Sequence, residues 1–270
     1  MLITRIITAF VLGGSVLGAV LFAPFWATAS LVLAFGALAS LEWARLIGLE
    51  HRWAQVGFVL LVTGIGGVSG VAGEAVLLQL VFSLALASWA LICVWIVLFQ
   101  REPIRRRGTR AVHAVSGCII QTGGLAAVLC LAMVSPVGLV GLFTVVWAAD
   151  SLAFMGGKLW GSHRLASNVS PGKTWEGVLT AVLGAPFVGA FLHYYLGIGA
   201  PSQMVVLAVV VSLVAVIGDL FESMIKRIAG RKDSGRLLPG HGGVLDRIDG
   251  LLAAGPVYVV GMSEMMGKWL

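Results

Sequence analysis

Charge is what this sequence has least of. Asp, Glu, Lys and Arg make up 11% of its 270 residues against 59% hydrophobic, and mean hydropathy is +1.00. A water-soluble domain carries about 25% charged residues, so that class is excluded. Cysteine is scarce as well. Cys93, Cys118 and Cys130 fall in apolar stretches without ligand-like spacing, which argues against a disulfide framework or a zinc site and for small buried packing residues. Soluble modules, low-complexity linkers and internal repeats are missing too. With no module to present them, the basic residues behind the formal charge of +6 flank membrane segments and do not form a nucleic-acid surface.

What the chain has instead is long apolar runs. A helix needs about 20 residues to cross a hydrocarbon core, and such runs lie near 6–24, 27–44, 54–72, 75–99, 111–133, 137–156, 174–196, 203–225 and 247–265. The expected fold is therefore all-α, one polytopic membrane domain over 1–270 with about nine transmembrane helices. With nine spans, every Lys and Arg of the 18 except Lys268 falls on the side of the N-terminus or beside the connections after the second, fourth, sixth and eighth helices. Basic loops are retained in the cytoplasm. The expectation is a multi-pass protein of the cell (inner) membrane with a cytoplasmic N-terminus. Arg5, the apolar stretch after it and Ala27-Thr28-Ala29 imitate a secretory signal, but the apolar pattern runs on into a second segment, so retention is expected. Residues 1–140 are poor in polar positions and read as scaffold, with a homodimer contact as a candidate role. Glu42, Trp43 and Arg45, near the end of the second helix, read as an interfacial anchor.

Polarity concentrates after residue 140. Asp219, Glu222, Ser223 and Lys226 stand at i, i+3, i+4 and i+7, one stripe of a helix. Asp246 and Asp249 share a face at the next helix start. Two carboxylate pairs on neighbouring helices make an oxygen-rich site suited to Mg²⁺; the alternative is internal pairing with Lys226 or Arg247. Between them Gly242 and Gly243 would let backbone N–H groups approach phosphate, and His241 is either a phosphate donor or a structural residue. Upstream, Ser170 and Pro171 have the chemistry of an N-cap and first helical residue, so a helix start is expected there. Its N–H groups, Lys173 and Thr174 would suit phosphate. Asp150 lies in an apolar helix and would face either the cavity or a neighbouring helix.

The run Ser223, Lys226-Arg227, Lys232-Asp233, His241-Gly242-Gly243 and Asp246-Arg247-x-Asp249 resembles, without departure, the signature of the phosphatidate cytidylyltransferases, or CDP-diacylglycerol synthases. Ser170-Pro171-Gly172-Lys173-Thr174-Trp175-Glu176-Gly177 is similar to that family's Ser-Pro-Lys-Lys-Thr-Trp-Glu-Gly, with Gly172 in place of the first lysine. Phe154, four residues after Asp150, stands where a tyrosine is usual. The resemblance covers 140–265 with specific motifs and implies that 141–265 is the catalytic region. The reaction it implies is CTP plus phosphatidic acid giving CDP-diacylglycerol and pyrophosphate, in phospholipid biosynthesis among membrane lipids.

On that reading Asp219, Lys226, Asp246 and Asp249 are catalytic. Asp219, Asp246, Asp249 and Asp150 are candidate ligands of Mg²⁺, with a second cation as a further candidate. Ser170, Lys173, Thr174, Ser223, Arg227, Lys232, His241, Gly242, Gly243 and Arg247 bind substrate. A polar funnel open to the cytoplasm and a lateral lipid opening among the sixth to ninth helices are expected. A lipid phosphate is already nucleophilic, so no covalent enzyme intermediate is expected. The rivals are weaker. A transporter would place such charges at the midplane of repeats, and an alcohol phosphatidyltransferase would continue Asp249-Gly250 as Asp-Gly-x-x-Ala-Arg, whereas Leu251-Leu252-Ala253-Ala254 follows. A lipid kinase is disfavoured less firmly, because a phosphate site does not name its nucleotide.

Overall fold

The computed structural model describes residues 2–104, 107–238 and 242–267, and for 2–10 and 12 the backbone. Among these residues the chain forms α1 (Leu2–Phe22), α2 (Phe25–Leu46), α3 (Arg52–Ala72), α4 (Ala75–Arg101), α5 (Arg110–Val134), α6 (Pro136–Trp160), α7 (Trp175–Leu196), α8 (Pro201–Ile228) and α9 (Leu245–Met266). Seven of them, α2 to α8, are long and apolar enough to cross a membrane. α9 opens on Asp246, Arg247 and Asp249, which lowers its hydropathy. The protein is an all-α polytopic membrane protein. Its outward-facing side chains include Phe22, Leu60, Leu91, Phe187 and Tyr194, all strongly exposed, as a bundle with lipid on its outside requires.

Small residues decide which helices meet. α5 lies inside the bundle, and from Ile120 to Ala132 nearly every side chain is buried. A Cβ on Gly124 would run into the backbone of Leu252 on α9, and one on Gly70 of α3 into Leu129 and Ala126 of α5. Close backbone approach of this kind is how helices associate where lipid removes the hydrophobic drive between them. Trp43 of α2 occupies the space left by Gly117 of α5, donates to the His113 carbonyl at 3.0 Å and packs on Phe221 of α8 at 5.5 Å.

One feature is not helical. Between α6 and α7 an antiparallel hairpin pairs β1 (Arg164–Ala166) with β2 (Ser170–Thr174). The helix start expected at Ser170 and Pro171 is thereby corrected: Ser170 to Thr174 are extended, and Thr174 is the cap, its hydroxyl accepting from the Gly177 N–H at 3.2 Å. Pairing with Arg164 and Ala166 outweighs the local preference of Ser-Pro for a helix entry, and Thr174 offers the same capping chemistry four residues later. The hairpin turn is held from two sides. Asn168 donates its side-chain amide to the Gln100 carbonyl at 2.8 Å and its N–H to Gln100 Oε1 at 2.9 Å, and Arg227 Nε donates to the Val169 carbonyl at 3.1 Å. The C-terminal ends of α4 and α8 therefore meet at the hairpin.

Candidate active site

α8 carries the polar stripe its periodicity predicts, and the stripe is internally bonded. Ser223 Oγ donates to Asp219 Oδ1 at 3.3 Å, and Lys226 Nζ lies 2.8 Å from Glu222 Oε2. Lys226 also reaches Asp246 Oδ1 of α9 at 2.6 Å, so a buried cation sits between two carboxylates. Lys173 of β2 reaches Asp219 Oδ2 at 2.6 Å. These two ion pairs join the hairpin to α8 and α8 to α9.

Asp246 is the most heavily used carboxylate. Besides Lys226, its Oδ2 accepts from the Gly243 N–H at 2.7 Å, the Ser234 N–H at 3.0 Å and the Ser234 hydroxyl at 3.0 Å. Ser234 and Gly243 both turn toward this side chain, and Gly242 beside them is in the left-handed region at φ +82°, where glycine is tolerated without steric cost. The Gly243 N–H points at Asp246, so it is an internal donor, where the sequence suggests a donor to phosphate.

The groups border one cavity of about 1390 Å³. Asp150, Ser170, Lys173, Thr174 and Asp219 line it, as do Lys226, Asp246, Arg247 and Asp249. Asp150 is exposed and lines this space, near Asp219, Lys173 and Arg247. Ser223, Arg227, Lys232, Gly242 and Gly243 are not among the lining residues: Ser223 is buried against Asp219, Arg227 holds the hairpin, and Lys232 is exposed on the loop. His241 lies outside the described residues. Asp233 and Lys158 also line the cavity. Asp233 stands inside the signature and went without a role, while Lys158 reads from sequence only as a topological charge.

Much of the remaining lining is apolar. Leu17 of α1, Val32 and Phe35 of α2, Leu125 and Val128 of α5, and the stacked Phe143 and Trp147 of α6 line it. The apolar lining adjoins α1, α2 and α5 as well as α6 to α9, so residues of the first half of the chain border the cavity. A second contribution from that half is Glu42. It is 2% exposed, and it accepts from Ser234 Oγ at 2.9 Å, the Val244 N–H at 3.1 Å and the Leu245 N–H at 2.9 Å. The interfacial anchoring expected of Glu42 is thus corrected. An ionisable residue inside a membrane helix is a functional signal by default, and the neighbouring Arg45 at the helix end obscured it.

Among the charged residues lining the cavity, five are acidic (Asp150, Asp219, Asp233, Asp246 and Asp249) and four basic (Lys158, Lys173, Lys226 and Arg247). Asp150, Asp219 and Asp249 are close enough to repel one another. The donor set is all oxygen. It forms no closed group of three or more His, Cys, Asp or Glu ligands among the described residues. Oxygen donors of this kind suit a hard cation that keeps waters and completes its shell with substrate phosphate.

The model of the cytidylyltransferase family matches residues 3–264. The chain belongs to this family. It is 36% identical over 271 residues to a phosphatidate cytidylyltransferase of Pseudomonas aeruginosa, covering 96% of both chains. It is 46% identical over 122 residues to the phosphatidate cytidylyltransferase of Haemophilus influenzae, covering 43% of this chain and 42% of that one. To that of Brucella abortus it is 50% identical over 117 residues, 42% of each. A cytidylyltransferase is a nucleotidyltransferase, so the cavity is the active-site candidate of a membrane enzyme.

Proposed function

We propose that this cytidylyltransferase makes CDP-diacylglycerol: CTP and phosphatidic acid enter the one cavity, and CDP-diacylglycerol and pyrophosphate leave. The observation that carries the reading is that nine charged side chains and many apolar ones line a single space. A substrate with a phosphate head and acyl chains needs both, and the relatives' names supply the nucleotide and the lipid.

In the reaction a lipid phosphate oxygen attacks the α-phosphorus of CTP. The bond from that phosphorus to the bridging oxygen breaks, and pyrophosphate leaves with the electron pair. No proton needs removing from a phosphomonoester that is largely dianionic at neutral pH. Positioning and charge neutralisation carry such transfers. Lys173 and Arg247 line the cavity and supply cations, and Lys158, also in the lining, stands over the Phe154 ring at 5.9 Å. Lys226 acts at one remove, because Glu222 and Asp246 occupy it. Asp219, Asp249 and Asp150 would hold Mg²⁺, with Asp246 organising the loop beside them. When bound, the ion neutralises phosphate charge on the leaving side. A second cation, a homodimer and a site opening to the cytoplasm of the inner membrane, with the N-terminus on the same side, belong to the same proposal.

The test is turnover by purified protein with phosphatidic acid and Mg²⁺, comparing CTP with ATP. CTP-selective formation of CDP-lipid and pyrophosphate supports the reading. Intact protein that turns over neither nucleotide, or moves lipid without consuming CTP, contradicts it.

A further inference from the structure

We infer that Glu42 of α2 is a positioning residue for the active site: it holds the signature loop and the N-terminus of α9 in the geometry that Asp246 and Asp249 need. The inference rests on the proposed cytidylyl transfer and goes beyond it, by giving a working part to the half of the chain that carries no signature.

α9 begins at Leu245 after Val244, whose side chain has nothing with which to cap it. The first N–H groups of a helix lack intrahelical partners and need an outside acceptor. Glu42 provides one from a helix about two hundred residues away in sequence, taking the Val244 N–H on Oε1 and the Leu245 N–H on Oε2. Oε2 also faces the Ser234 hydroxyl, which stands 2.9 Å from Glu42 and 3.0 Å from Asp246 Oδ2. This hydroxyl therefore stands between the α2 carboxylate and the carboxylate that holds Lys226, and its single hydrogen goes to one of them at a time. The Val244 and Leu245 N–H groups donate one to each oxygen of Glu42, so only a group that accepts on both oxygens fits.

The glycines of the loop agree. A Cβ at Gly235 or Gly243 would collide with the Glu42 carboxylate. These two glycines make room for Glu42, which is a more specific requirement than the general flexibility of a glycine-rich turn. The negative charge near the α9 N-terminus also suits the positive end of the helix dipole. The loop and the first turn of α9 carry Asp233, Asp246, Arg247 and Asp249, so their placement against α8 depends on an anchor in α2.

Glu42→Gln tests this, because the amide keeps the volume but must turn an NH₂ toward an N–H or the hydroxyl. The expected result is a kcat lower by on the order of tenfold to a hundredfold with KM for CTP and lipid little changed. Thermal stability in detergent should stay near that of the parent, while amide hydrogen exchange rises at Val244 and Leu245. Glu42→Asp should recover part of the rate. If Glu42→Gln does not fold, Ser234→Ala carries the same expectation. Parent-level kcat in a folded Glu42→Gln, unchanged exchange at Val244 and Leu245, or failure of both variants to fold would overturn the positioning role. Absence of CTP turnover in the parent protein would instead overturn the proposed function, and the exchange measurement would still read the anchor.

Discussion

Asp246 binds four groups with one carboxylate: Lys226, the Gly243 N–H and both donors of Ser234. Asp249, one turn on, accepts from the Gly250 N–H at 2.7 Å, lies beside Glu222 and lines the cavity. The two aspartates look equivalent in sequence, since both sit on one face of a helix start, and the division of labour between them became visible only with the loop folded back. Asp249→Asn is expected to lower CTP turnover by roughly 10²-fold or more with little loss of thermal stability, measured as pyrophosphate release beside a melting curve. Lys173→Ala leaves Asp219 without its 2.6 Å partner and removes a cavity cation. A fall in turnover of about 10- to 100-fold is expected, with Lys173→Arg between it and the parent. Parent-level activity in Lys173→Ala would remove Lys173 from the phosphate site. The stripe Asp219, Glu222, Ser223 and Lys226 was legible because helical periodicity is local. Glu42 was not, because its partners are fixed by how α2 packs against the loop.

At the scale of elements, the spans read from hydropathy fall close to the helices. The run near 54–72 became Arg52–Ala72, and that near 203–225 became Pro201–Ile228. Where the reading failed, two local preferences competed. Ser170-Pro171 and Thr174 can each start a helix, and the choice was made by a hairpin whose partner strand, three residues long, gives almost no sequence signal. Thr174→Ala should therefore cost about 1 kcal/mol of stability, the usual value of a lost N-cap, whereas Ser170→Ala should cost far less than that. Equal losses would restore the helix start at Ser170. Helix packing offers a stronger prediction. Gly124→Leu puts a side chain where the Leu252 backbone of α9 lies, and should abolish folding or cost at least about 3 kcal/mol, checked by thermal unfolding in detergent.

At the scale of the whole molecule, the ends of α2, α4 and α8 gather at the hairpin and signature loop through Glu42, Gln100 and Arg227. Such a gathering is what the one-sided distribution of Lys and Arg calls for, and it predicts topology. In a background without Cys93, Cys118 and Cys130, a cysteine at Gly172 should react with an impermeant thiol reagent from the cytoplasmic side. One at Gly197, in the α7 to α8 connection, should react from the opposite side; the reverse pattern would invert the proposed orientation. Composition made the membrane class legible, and the signature made the family legible. The contribution of α1, α2 and α5 to the cavity was hidden, because an apolar residue that lines a lipid site looks the same in sequence as one that faces the bilayer.

If the lipid phosphate attacks the α-phosphorus of CTP, the two ends of the triphosphate part into different products, and labelling them separately follows each one. With purified protein, phosphatidic acid and Mg²⁺, label at the α-phosphate should pass into the lipid product and label at the γ-phosphate should appear in pyrophosphate. Transfer of the γ label to lipid would make the protein a lipid kinase, and α label remaining in free nucleotide would contradict cytidylyl transfer altogether.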